Sequence, residues 1–405
     1  MEIVHQRCCG LDVHKNSITS CIITPEGKEV KTYSTMTDSL LELVDEICNT
    51  KCTGVAMEST SVFWKPIYNL LEGLEIETMV VNARHIKAVP GRKTDVKDAE
   101  WIAELLQHGL LKGSYIPDRE NRELREMVRY RKSLIYERSR EINRMQKVME
   151  GANIKLSSVV SKVNGKSAQK IIDAMISGEQ DIDKLNDLAN NNVKSKGDTL
   201  KRALKGLMGK HQQEMLSMQK KHIEFLDSQI NDLNDRIHQR MLPFAESLEL
   251  VDTIPGVGMR TAEEVIAEIG TDMSRWPTAA HLVSWAGLSP GDNESAGKRK
   301  STRTRKGNKH IRAALVESAN SIAHSKDKYL CTKYSNIVSR RGKKKAAVAV
   351  AREILISIYH IIKKKQPYIE LGSDYLTHKN KEAIVKKAIK KIESLGYEVE
   401  IKRPA

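Results

Sequence analysis

Residues 82–106 read NARHIKAVPGRKTDVKDAEWIAELL. Asp95 and Asp98 stand three apart in a run that starts a helix. Thr94 is placed as N-cap, and Ile102, Leu105 and Leu106 recur at helical spacing behind it. Residues i and i+3 share a helix face, so the two carboxylates point the same way. Arg84, His85, Lys87, Arg92 and Lys93 come just before them. Paired acids beside a basic loop suit a divalent metal held against a phosphate, with Arg92 and Lys93 as nucleic-acid contacts. An acidic first turn favoured by the helix dipole is the plainer explanation of the same residues.

Upstream, residues 3–35 read as strands, with β-branched residues in two runs and a turn at Pro25-Glu26-Gly27. Asp12 lies inside the first run, between Leu11 and Val13. Burying an unpaired carboxylate is expensive, so Asp12 either faces solvent at a strand end or binds something. Residues 38–49 form an amphipathic pattern. Residues 53–60 read as a buried strand ending at Glu58, 61–72 as a helix, and 77–81 as a strand. This order points to an α/β domain with a mixed sheet. Functional residues of such sheets gather at the strand ends. Four carboxylates there, Asp12, Glu58, Asp95 and Asp98, repel one another unless cations neutralise them. Mg²⁺ takes carboxylate oxygens and keeps open positions. Two such ions roughly 4 Å apart form a clamp for in-line phosphodiester chemistry.

Composition frames this reading. A chain of 405 residues is expected to hold two or three domains. Aromatics are only 4 %, and the many Leu, Ile, Lys and Glu favour helix. The net charge of +15 is segregated: residues 296–405 hold 28 Lys plus Arg against 9 Asp plus Glu, a net of +19, leaving −4 for the remainder. A phosphate-backbone partner selects such a split. The six cysteines form no CxxC pair and no zinc set, so reduced, mostly buried thiols are expected. The start lacks a signal-peptide pattern, and no apolar run approaches the roughly 18 residues of a membrane span. A soluble, cytoplasmic protein without membrane partners is expected.

Residues 118–150 read as one long helix. Its Arg122, Arg125, Arg129, Arg131, Lys132, Arg138, Arg140 and Arg144 either track a nucleic-acid backbone or form a solvated face balanced by Glu. Residues 151–210 hold short helices such as SAQKIIDAMIS, and a loop around 190–197. Leu216, Ile223, Leu226, Ile230, Leu233 and Ile237 make a coiled-coil seam, pairing within the chain or between protomers. At residues 254–258, IPGVG ahead of a helix has the pattern of a helix-hairpin-helix. There Gly256 and Gly258 let backbone N–H groups approach a phosphate. Ser295 lies in a loop of small residues ahead of Lys298, Arg299 and Lys300, with Arg303, Arg305 and Lys306 beyond. Clustered cations there suit a phosphate at a nucleophile. By itself, a serine in a polar loop is more simply read as a turn residue. At 336–405, RRGKKK fits a phosphate-contact patch better than a nuclear localisation signal, and it precedes a buried-type helix, AAVAVAREILISIYHII.

The motifs GLDVHK, AMEST and GRKTDVKDAEWIAELL resemble the three DEDD motifs of a RuvC-like, ribonuclease-H-type domain. More narrowly, they resemble the DEDD transposases of the insertion-sequence one-ten family, the bridge recombinases. The segment SWAGLSP…ESAGKRKSTRTRKGNKHIR resembles the Transposase-20 serine domain of that family. The resemblance implies that Asp12, Glu58, Asp95 and Asp98 bind two Mg²⁺, with Mn²⁺ as a substitute, and that Ser295 is the nucleophile of a composite site, with Ser289 next in line and Ser301 behind it. It also implies donor and target DNA and a structured bridge RNA. The implied layout is α/β plus all-α. A RuvC-like domain spans 1–150, a helical coiled-coil linker 151–245, the mainly helical serine domain with its helix-hairpin-helix 246–335, and a basic helical segment 336–405. A homo-oligomer, dimer or tetramer, is expected through the coiled coil. Two rival functions fit fewer of the motifs. A RuvC-like nuclease or junction resolvase would use activated water without Ser295, and a non-enzymatic nucleic-acid-binding regulator would need neither set.

Overall fold

Cys8–Val13 (β1), Ser17–Thr24 (β2) and Gly27–Ser34 (β3) run antiparallel to their neighbours through two tight turns. Gly54–Glu58 (β4) and Glu77–Val81 (β5) then add in parallel, giving the order β3-β2-β1-β4-β5. The computed structural model describes residues 2–82, 98–190, 197–291, 293–295, 298–301, 303–379 and 381–399. It divides into the units Met1–Ile116 and Pro117–Ala405. The expected succession of strands and helices and the mixed sheet are present, an arrangement consistent with a ribonuclease-H-like α/β domain. The initial stretch, read as two or three strands, holds three.

Strand alternation decides what each face of the sheet receives. Cys9, Leu11 and Val13 of β1 join Val55 and Met57 of β4 in one core. The helices Thr37–Asn49 (α1) and Trp64–Leu71 (α2) cover it with Leu43, Ile47, Ile67 and Leu71. Cys8 and Ala56 face the other way, against Ile102, Leu105 and Leu106 of helix Asp98–Gln107 (α3). The thiols of Cys8, Cys9, Cys21 and Cys52 are free and buried in these layers. Burial pushes Cys8 up to about 12 and Cys21 to about 11, so these thiols are core residues rather than nucleophiles.

Among its described residues, the second unit is helical apart from one hairpin. Its longest helix, Arg119–Gly151 (α4), is capped by the Asp118 carboxylate, which accepts from the Asn121 N–H at 2.9 Å. Short helices follow: Leu156–Val159 (α5), Lys166–Ile176 (α6), Ile182–Asp187 (α7) and Gly197–Leu204 (α8). The next long helix, Lys210–Met241 (α9), runs back along α4. Arg131 meets Asn234, Arg138 meets Asp227 and Glu123 meets Arg240, so residue numbers rise on one helix as they fall on the other. The coiled-coil seam is therefore an antiparallel pairing within the chain. Leu134 packs with Leu226 and Ile230, and Met145 shares a cluster with Leu216 and Ile223. Five seam residues, Leu216, Ile223, Leu226, Ile230 and Ile237, are 7 % exposed or less, which corrects their expected use as a contact between protomers.

Ala245–Asp252 (α10), Met259–Ile269 (α11) and Ala279–Trp285 (α12) precede the hairpin of Asn293–Ser295 (β6) and Lys298–Ser301 (β7). Lys309–Ile322 (α13) and Tyr329–Arg341 (α14) follow it, then Lys343–Lys364 (α15). Ala347, Val350, Ile354, Leu355 and Ile358 of α15 are buried, and the helix packs on α10, α12, α13 and α14. The basic end of the sequence thus contains a core helix. Tyr375–Lys379 (α16) and Lys381–Glu393 (α17) close the described chain. Among the described residues no helix is long and apolar enough to cross a membrane.

Candidate active site

β1 and β4 are parallel neighbours whose last pairing joins Leu11 to Met57. One residue further, Asp12 and Glu58 lie at the C-terminal ends of the two strands. Strand alternation puts both on the α3 face, in the rows begun by Cys8 and Gly10 and by Ala56. α3 opens at Asp98 on that same face. Gly10 makes the approach possible. A Cβ there would stand 2.3 Å from the Ala99 carbonyl oxygen and 2.4 Å from the Ala103 nitrogen, so α3 lies directly on the β1 backbone.

The Asp12 side chain is 17 % exposed, and its Oδ2 lies 3.1 Å from His14 Nε2. Thr60 Oγ1 donates to Glu58 Oε1 at 3.5 Å. Lys28 holds the far side of α3 through Glu100, 2.8 Å away. Asp95, Arg92 and Lys93, with Arg84, His85, Lys87 and Thr94, fall outside the described residues. Among the described residues, no three Asp, Glu, His or Cys side chains gather as a metal cage. Three of the four expected acids therefore share one edge and one face of the sheet by backbone placement.

In the second unit, Ser295 ends β6 and pairs with Lys298. Where a loop was expected, Ser295 is therefore a strand residue of an antiparallel β6–β7 pair. The ladder continues below it: the Gly291 N–H donates to the Arg303 carbonyl at 2.9 Å, and the Arg305 N–H to the Ser289 carbonyl at 3.3 Å. Lys298, Arg299 and Lys300 belong to β7, and Arg303, Arg305 and Lys306 are exposed along the return. Gly287 and Gly307 cross at the base, where a Cβ on Gly307 would stand 2.3 Å from the Gly287 nitrogen.

A buried polar hub anchors that base. Asn308 caps α13, its Oδ1 accepting from the His310 and Ile311 N–H groups, while its Nδ2 donates to Glu268 Oε2 at 2.6 Å. Arg129 grips Glu268 with both nitrogens, at 2.7 and 2.9 Å, and Arg125 stands 3.3 Å away. Burial alone would raise the Glu268 pKa. The Arg129 hydrogen bonds and the charges of Arg125 and Arg129 outweigh it and hold Glu268 below the usual carboxylate range. Beside it, Arg129, Lys132, Tyr136 and His310 line a cavity of about 280 Å³. Burial, helped by the Arg129 charge, lowers His310. The sequence reading missed Glu268 and Asn308. The available signal was a carboxylate inside the otherwise buried run of α11.

The same contacts decide the role of the basic helix. Arg131 pairs with Glu263 at 2.7 Å, Lys132 with Glu264 and Glu317, Arg138 with Asp227, Arg140 with Glu137 and Arg144 with Glu141. Arg122 donates to the Pro117 carbonyl. With Arg125 and Arg129 on Glu268, the eight cations singled out on α4 are thus engaged by the protein itself, the balanced-face alternative.

At the IPGVG turn, Gly256 adopts φ +79°, and a Cβ there would meet the Ser318 carbonyl and Ile322. Its glycine is required by packing on α13. Gly258 is exposed, and a Cβ there would meet nothing within 4 Å.

Two family models match the chain. One, for DEDD transposases of the IS110 type, covers residues 9–154, and the other, described as transposase of the IS116/IS110/IS902 family, covers 248–335. The chain is 23 % identical over 368 residues to the transposase for insertion sequence element IS1111A of Coxiella burnetii, covering 89 % of this chain and 90 % of that one. It is 30 % identical over 123 residues to the pilin gene-inverting protein of Moraxella bovis, covering 29 % of this chain and 38 % of that one. An uncharacterized 43.6 kDa protein of insertion element IS110 from Streptomyces coelicolor is 38 % identical over 71 residues, 17 % of each chain. The first model spans Asp12, Glu58, Asp95 and Asp98, and the second spans Ser295, so both halves of the candidate chemistry lie inside matched segments. By these matches, the chain belongs to the IS110 family of transposases.

Proposed function

We propose that this chain cuts and rejoins DNA, using Asp12, Glu58, Asp95 and Asp98 to hold Mg²⁺ and Ser295 to attack the scissile phosphate. One observation carries the reading: Asp12 and Glu58 end adjacent parallel strands on the sheet face where α3 opens at Asp98. An all-carboxylate donor set suits a hard cation. When bound, Mg²⁺ would neutralise charge on the phosphate and its leaving oxygen. Relatives named for transposition and for inverting a pilin gene support rearrangement of DNA as the outcome.

The four acids orient the phosphate, and the cations after Ser295 offset its developing charge. The Ser295 oxygen bonds to phosphorus as the bond from phosphorus to the leaving strand's oxygen breaks. The serine proton leaves, and the departing oxygen ends as a hydroxyl. A hydroxyl of the new partner strand then attacks the phosphoserine, joins the strands and releases Ser295. Each phosphodiester is exchanged and none is hydrolysed. A bridge RNA pairing with donor and target would carry sequence choice while the protein holds backbones. Family membership supports that partner, and the net charge of +19 over residues 296–405 permits it without singling it out from DNA.

Denaturing electrophoresis of labelled DNA tests the chemistry. Alanine at Asp12, Glu58, Asp95 or Asp98 should abolish cleavage, as should EDTA, with Mg²⁺ or Mn²⁺ restoring it to wild type. Ser295→Ala should keep DNA binding and lose the labelled band at protein mass. Cleavage in EDTA overturns the metal role. A band that survives Ser295→Ala moves the nucleophile to Ser289 or Ser301. Cleavage without any adduct would favour a nuclease using water. Sequencing the RNA that co-purifies tests the bridge RNA: a discrete species supports it, and random fragments oppose it.

A further inference from the structure

The corner between α14 and α15 concentrates charge that the fold leaves exposed. Arg340, Arg341, Lys343, Lys344 and Lys345 flank Gly342, which turns the chain at φ +80°, and all five are exposed. Arg340 donates its Nε to the Asn336 carbonyl at 3.0 Å. Among the described residues, the other four make no ion pair. The contrast is with Arg122, Arg129, Arg131 and Arg138 of α4, which are held by Glu, Asp or a backbone carbonyl.

The arrangement is also costly for the isolated protein. Lys343, Lys344 and Lys345 fill the first turn of a 22-residue helix that has no acid there. The helix dipole and the neighbouring ammonium groups both oppose cations at that end. Charge selected for stability would place Asp or Glu there. A polyanion lying across the corner turns the same repulsion into attraction.

We infer that this corner is a docking surface for the phosphate backbone of duplex DNA, independent of base sequence. The inference rests on the reading of the chain as a DNA-handling enzyme. The run 335–345 contains no aromatic residue, so it offers no ring on which unpaired bases stack. Lysine and arginine on an exposed convex turn suit phosphates, which position a duplex without reading it. Beyond the corner the chain returns at once into the buried core through Ala346 and Ala347.

The test uses the full chain with Arg340, Arg341, Lys343, Lys344 and Lys345 all changed to Gln, and a milder Lys344→Gln, Lys345→Gln variant. Deleting everything after Asn336 would not serve, because it removes the buried helix α15. Binding to a 30-base-pair duplex of arbitrary sequence is measured against salt. Each lost phosphate contact should lower the log–log slope by about 0.9, so the full variant should lose roughly 3 to 4.5 and the double variant about 2. Thermal unfolding should be unchanged or raised, since repulsion is removed. A slope change below about 1 in the full variant, with the fold intact, overturns the inference. A larger loss on duplex RNA of the same length than on DNA overturns the assignment to DNA. Strand cleavage is scored separately at low salt. Wild type that binds DNA with a steep slope yet never cuts it would sink the proposed chemistry and leave this surface standing.

Discussion

Asn308 Nδ2 donates to Glu268 Oε2 across 2.6 Å, tying the residue that starts α13 to a carboxylate buried in α11. Through Arg125 and Arg129 the same carboxylate is tied to α4. The hairpin carrying Ser295 is rooted at this junction, since the Asn308 N–H also donates to the Trp285 carbonyl at 3.1 Å. Three helices and the base of the hairpin thus share one buried charge.

Removing that charge should be expensive. Glu268→Ala leaves two guanidinium groups without their carboxylate, and we expect a loss of about 3 kcal/mol in denaturant unfolding. Its folded pKa is depressed, so its contribution is fully present above the ordinary carboxylate value of 4.5 and is lost as pH falls through the lower, folded value. Glu268→Gln should flatten stability against pH in that acid window. Equal pH dependence in wild type and Glu268→Gln would remove Glu268 from this role.

Gly10 should be intolerant of any side chain. A methyl group would collide with the backbone of Ala99 and Ala103, which cannot rotate away. Gly10→Ala should cost about 1 to 3 kcal/mol as α3 is pushed off β1. Because α3 begins at Asp98, cleavage should fall by more than the folded fraction does. Calorimetry and a cleavage assay on one sample compare the two losses. Proportional losses would mean that α3 placement matters for folding alone.

The two glycines of the IPGVG turn should separate. Gly256→Ala meets Ser318 and Ile322 and also strains φ +79°, so it should lower Tm. Gly258→Ala has open space and an ordinary backbone, φ −93°, so it should fold like wild type. If the turn contacts a phosphate, Gly258→Ala should weaken duplex binding several-fold without changing Tm. Unchanged binding would confine this turn to packing.

The sequence alone determined the elements whose signals are local. Strand alternation around Asp12, the buried run ending at Glu58 and the helical spacing of Ile102, Leu105 and Leu106 are each contained in a few neighbouring residues. Backbone geometry turns such patterns into strands and helices without reference to the rest of the chain. The acids at the strand ends could be found for that reason, and the family model matched over residues 9–154 spans them. Tertiary structure decided what each surface meets. The seam of Leu226 and Ile230 fits a partner helix of either origin by period alone, and the fold supplied α4 of the same chain. Arg125 and Arg129 read as a basic face, yet they close on Glu268 more than a hundred residues away. Gly10 gave no local signal, because its requirement is a helix backbone arriving from beyond residue 97. Partner identity depends on which distant surfaces the chain brings within a few ångströms, and spacing along the sequence carries no measure of that distance.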